Sequence, residues 1–147
     1  MNIDLANTIF GYSRAGILFA TILTGFLVDR CGVKKMLLFI LLAAGLSTAG
    51  MALARHTAML VVMLFFQATL SGAFFPVGVV AMSTLTTMKE RSLFMGTALA
   101  IGTIIGMGLA PVVLGAVADT WSFKTGILML GILVAVSSLF LKGLPEI

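Results

Sequence analysis

The chain has 147 residues, 61% of them apolar and only 10% charged, against about half and a quarter in soluble domains. With a mean hydropathy of +1.21, this excludes a soluble globular domain and defines an all-α integral membrane protein. The net charge of +4 would mark a polyanion binder in a soluble chain. Here the basic residues stand at the ends of apolar runs, so membrane topology accounts for them and no nucleic-acid partner is expected.

Five runs are long enough to cross a bilayer as helices, at 5–28, 36–54, 59–85, 93–118 and 123–141. Unpaired backbone groups in lipid cost several kcal/mol each, which rules out open sheet. The runs are too long and too continuously apolar for the alternating strands of a barrel. The first is no signal peptide, because no basic segment precedes it and it carries Arg14.

In that first run, Asn7, Gly11, Arg14, Leu18, Thr21 and Gly25 fall at intervals of three and four and form a small or polar stripe. Ile17, Phe19 and Phe26 point elsewhere. A helix starting near Leu5 places Arg14 about 14 Å along it, close to the midplane. An arginine there costs about 2.5–3.5 kcal/mol on insertion scales. The other five-run residues offer no intramembrane Asp or Glu to offset it. Two readings stand: a water-filled cavity with an anionic ligand gripped by the guanidinium, or an acidic partner outside this chain.

The connection GFLVDRCGVKK, 25–35, concentrates charge between the first two runs. Gly25 and Asp29 lie four apart on one helix face, where glycine permits close approach and the carboxylate can reach a neighbouring helix N-terminus. Gly32 suits a tight reversal, and Arg30, Lys34 and Lys35 lie at headgroup level. Cys31 is the sole cysteine, which leaves no internal disulfide and no cysteine-based metal site.

The second and fifth runs contain almost no polar groups beyond Ser and Thr and read as peripheral, lipid-facing supports. His56 lies in the external turn Arg55-His56-Thr57 and reads as an exposed loop residue. The third run puts Gln67, Ser71, Phe74, Gly78 and Met82 on one face, and Pro76 predicts a kink. In the fourth, Gly102 and Gly106 form a G-x-x-x-G pair whose expected role is close helix packing. Pro111 conflicts with the carbonyl of Met107 and predicts a bend. The ten methionines are scattered through bulky apolar positions and read as packing, so neither a metal nor any other cofactor is expected.

The loop Gly25-Phe26-Leu27-Val28-Asp29-Arg30-Cys31-Gly32-Val33-Lys34-Lys35 resembles the G-x-L-x-D-R-x-G-R-K-x loop of the major facilitator superfamily of transporters, departing at Val33. Gly102, Gly106, Pro111 and Gly115 resemble that family's glycine- and proline-rich fifth or eleventh helix. The resemblance implies a partial helical bundle of that type working by alternating access, the chain being helices eight to twelve. The short tail after Leu141 and the Ser122–Gly126 entry to the last run favour that placement over helices two to six. It also implies that Gln67 and Ser71 face a central cavity and, with Arg14, are candidate substrate contacts in an anion- or carboxylate-transporting branch. Interhelical hydrogen bonding is the alternative role for Gln67 and Ser71.

A shift of ninety residues superposes Gly16 on Gly106, Ala20 on Ala110, Gly25 on Gly115, Asp29 on Asp119 and Lys34 on Lys124. The two copies end on opposite sides of the membrane, as in an inverted repeat. The third run then opens the second unit, and its counterpart belongs ahead of residue 1, so a missing N-terminal half is the expected partner. Arg30, Lys34, Lys35, Lys89, Arg91 and Lys142 lie on one side, Arg55 and Lys124 on the other. That asymmetry predicts an external N-terminus and a cytoplasmic C-terminus in a cell inner or plasma membrane.

The function expected is secondary transport of a small solute, an organic or inorganic anion, with a proton or counter-substrate as drive. The alternatives are a neutral or cationic solute, or a small structural membrane protein. The chain alone is expected to insert but not to transport. A membrane enzyme is disfavoured: the one histidine lies in a turn, and Ser71-Gly72 has no base nearby in the pattern.

Overall fold

The computed structural model describes residues 3–143; of residues 3–10 and 13–15 it describes the backbone only. Helix α1 runs Ile3–Cys31, α2 Val33–Leu53 and α3 Thr57–Leu85. The fourth span is composite: α4 Arg91–Thr103, a π-helical stretch Ile104–Leu109, and α5 Ala110–Thr120. Helix α6, Phe123–Ser137, closes with a 3-10 turn at Ser138–Gly143. Among the described residues there is no strand, and four helical spans meet the length and apolarity needed to cross a membrane.

The helix ends follow from local chemistry. Gly32, at φ 86 and ψ 150, is the one residue with positive φ among those described. No side chain is tolerated there, so α1 stops and α2 begins after a single residue. Ser122 starts α6 by accepting a hydrogen bond from the Thr125 amide at 3.1 Å, which satisfies one of the orphan donors of the first turn. Between α3 and α4, the Arg91 guanidinium donates to the Ser83 carbonyl at 2.7 Å and ties the turn to the helix it leaves.

Helix α2 is the most enclosed element. It contributes Val33, Met36, Leu37 and Ile40 to a core completed by Ala73, Val77 and Ala81 of α3. Its other side meets α6 at backbone distance. A Cβ on Gly45 would lie 2.5 Å from the Ala135 amide nitrogen, and one on Gly131 would run into the Ala49 nitrogen and the Gly45 carbonyl. Such approach is open only to small residues. The expectation that the second and fifth runs are peripheral supports is therefore corrected for this bundle. The run Ala43-Ala44-Gly45 to Ala49-Gly50 is a packing surface built from small residues, and its two hydroxyls, Ser47 and Thr48, bond carbonyls of their own helix.

The contact between Gly45 and Ala135 has a further property: 135 − 45 = 90, the offset of the sequence repeat. The antiparallel pair α2 and α6 thus meets where a position lies against its own counterpart. Helix α1 packs on α3, with Gly16 against the Phe65 ring and Thr69, and Gly72 of α3 against Ile17.

The glycines of the fourth span are open among the described residues. A Cβ at Gly102, Gly106 or Gly115 would meet nothing within 4 Å, so the G-x-x-x-G pair packs against no described helix of this chain. The span has no buried residue. Within the described residues close packing is made by Gly45, Gly131, Gly16 and Gly72 on the other helices. Ahead of Pro111 the Ala110 amide bonds the Ile105 carbonyl, five residues back. Proline has no amide and its ring crowds the carbonyl four residues earlier, so widening to a π turn relieves the conflict at Met107.

Candidate functional site

The contacts between α1 and α3 set the relative depth of the candidate ligand-binding residues. Gly16 lies opposite Phe65 and Thr69, and Ile17 opposite Gly72. The two helices run parallel, so the backbone of Arg14, twelfth of the 29 residues in α1, lies near the level of Gln67. The Arg14 side chain lies outside the described residues.

Gln67 and Ser71 are brought together, the Gln67 Nε2 donating to the Ser71 Oγ at 3.2 Å. Gln67 is half-buried and Ser71 exposed, so the amide oxygen and the outer face of the hydroxyl stay available to a solute or another helix. Below them the same face continues as Phe74, Gly78 and Met82, which line a 420 Å³ cleft against Met95, Leu99 and Met107 of the fourth span. The face is thus polar in its upper half and apolar in its lower half. Next to Gly16, the Thr69 hydroxyl is buried with no hydrogen-bond partner among the described residues, a polar atom of the same layer that periodicity alone did not single out.

The loop residues separate into two groups. Gly25 and Asp29 line a 230 Å³ cleft between α1 and α3 with Thr21, Thr24, Pro76 and Val80. No heavy atom lies within 4 Å of a Cβ on Gly25, so the close contact expected there is made with no described residue. Arg30 and Lys35 are exposed. Lys34 is half-buried and donates from Nζ to the Lys142 carbonyl at 3.0 Å, bridging residues 108 apart in sequence. That bond places the first loop and the end of the last span on one side of the membrane.

His56 is exposed at the α2–α3 turn, and Cys31 is exposed at the end of α1. Among the described residues no group of three or more His, Cys, Asp or Glu side chains is arranged to hold a metal ion. The buried seam of α2 and α6 was missed from sequence because size, rather than polarity, carries its signal.

Long apolar helices joined by short turns, with charge gathered near the helix ends apart from Arg14, and with clefts between the helices, define a multi-pass membrane protein. The Major Facilitator Superfamily model matches residues 1–146, and the chain belongs to that family of secondary transporters. Small-molecule substrates crossing a lipid bilayer are the family's business, and its members are transporters rather than enzymes. Neither the curated proteins nor the solved structures compared gave a match.

Proposed function

We propose that the chain forms helices eight to twelve of a transporter that moves a small organic or inorganic anion by alternating access. Arg14, Gln67 and Ser71 contact the solute. The observation that carries this reading is the common depth of Arg14 on α1 and the bonded pair Gln67–Ser71 on α3. A guanidinium grips a carboxylate or phosphate with two parallel hydrogen bonds, and a neutral amide and hydroxyl beside it complete recognition without competing charge. The drive is a proton or a counter-substrate.

The ninety-residue repeat is an inverted one, and the contact of Gly45 with Ala135 supports it. A two-fold axis in the membrane plane, passing between α2 and α6, brings one position against its own counterpart. Gly102, Gly106 and Gly115, open in this chain, then pack against the missing half, and the π stretch before Pro111 is where the fourth span bends as the halves rock. The loop carrying Gly25, Asp29, Arg30, Gly32, Lys34 and Lys35 is the cytoplasmic hinge, with the N-terminus outside and the C-terminus inside.

Uptake by the whole transporter tests the reading. Arg14→Ala abolishes uptake of its anionic substrate while membrane insertion stays normal, and Arg14→Lys restores it poorly, because an ammonium lacks the bidentate fork. Transport of every tested anion at the unmodified rate in Arg14→Ala removes the guanidinium from the mechanism.

A further inference from the structure

The bond from Lys34 to the Lys142 carbonyl assembles a basic corner out of two stretches at opposite ends of the chain. Arg30 lies in the last turn of α1, Lys35 in the first turn of α2, and Lys142 in the 3-10 turn that closes the last span; all three side chains are exposed. The acid in this loop, Asp29, lines the cleft between α1 and α3.

Each lysine also caps an apolar column. Phe39 follows Lys35 by four residues on α2, and so shares its face; it is 62% exposed. Leu139 precedes Lys142 by three residues in the 3-10 turn, where such pairs eclipse, and it is 54% exposed. Cation above and exposed hydrocarbon below is the complement of an anionic amphiphile, whereas a free anion uses only the upper half.

We propose that this corner binds the headgroup of an anionic phospholipid, with the phosphate held by Arg30, Lys35 and Lys142 and the acyl chains lying along Phe39 and Leu139. Lys34 is the organiser: its ammonium holds the end of the last span beside the first loop. Basic residues at a membrane surface attract anionic lipid by about five-fold in affinity each. The general attraction of this membrane face for anionic lipid is shared by Lys89, exposed in the α3–α4 turn but outside the corner, which makes it the internal control.

The test is native mass spectrometry of the purified chain in detergent, counting retained phosphatidylglycerol against phosphatidylcholine, with inorganic phosphate as a separate competitor. Phosphatidylglycerol is retained selectively, Lys142→Gln lowers its retention about five-fold, and the Arg30→Gln, Lys35→Gln, Lys142→Gln combination abolishes the selectivity. Lys89→Gln changes little, and inorganic phosphate does not compete at matched concentration. Unchanged selectivity in Lys142→Gln overturns the proposal, as does an equal loss in Lys89→Gln. Displacement by inorganic phosphate at matched concentration overturns it in favour of a free-anion site. Where the triple variant fails to fold, the single exposed substitution at Lys142 decides the matter alone.

Discussion

Gly32 occupies a backbone region, φ 86 and ψ 150, that is closed to side chains. This is the extended positive-φ region rather than the left-handed helical one, so asparagine, which often replaces glycine in the latter, offers no relief here. Gly32→Ala and Gly32→Asn are both expected to destabilise the folded chain by about 1–3 kcal/mol. Unfolding followed by circular dichroism in detergent measures this, and a near-native transition in the asparagine variant refutes the conformational account. The glycine was legible in sequence as a reversal between two apolar runs. That Lys34, two residues later, reaches the Lys142 carbonyl was not, because nothing local relates positions 108 apart.

At the level of elements, the α2–α6 seam dominates. Gly131→Ala puts a methyl group against the Ala49 nitrogen and Gly45 carbonyl, which are backbone atoms and cannot swing aside. Overpacking costs about 1–3 kcal/mol, which outweighs the roughly 0.5–1 kcal/mol that alanine gains over glycine inside a helix. Gly78→Ala, with nothing within 4 Å, keeps only the gain. Thermal unfolding in detergent should therefore fall for the first variant and hold or rise for the second; the same sign in both would refute the packing account. The fourth span teaches the complementary lesson. Its Gly102 and Gly106 match a helix-packing pattern, yet no described residue comes within 4 Å of a Cβ on either, and Gly102 looks onto α3 only across an open cleft. Spacing identifies a surface able to pack closely but does not say which neighbour arrives. Pro111 was legible as a conflict with Met107; that the helix answers by widening to a π turn from Ile104 to Leu109 depended on the backbone as a whole.

For the whole molecule, the Lys34–Lys142 bond puts the first loop and the end of the last span on one side, and the proposed orientation assigns that side to the cytoplasm. Cys31, exposed and alone of its kind, reports on it directly. A membrane-impermeant maleimide is expected to label Cys31 in inside-out vesicles and to leave it unlabelled in intact cells. The opposite pattern reverses the orientation and, with it, the leaflet from which the basic corner draws lipid. Membrane residence, helical class and span sequence were fixed by composition and by the length of the apolar runs, because in hydrocarbon each backbone polar group has to be satisfied within its own segment. The candidate residues Arg14, Gln67 and Ser71 stood out for a related reason, since polar groups at membrane depth are expensive. Depth register between α1 and α3, the α2–α6 seam and the basic corner were decided by tertiary structure alone. They depend on which small residues of distant segments meet, and van der Waals fit between helices leaves no period in a single strand of sequence.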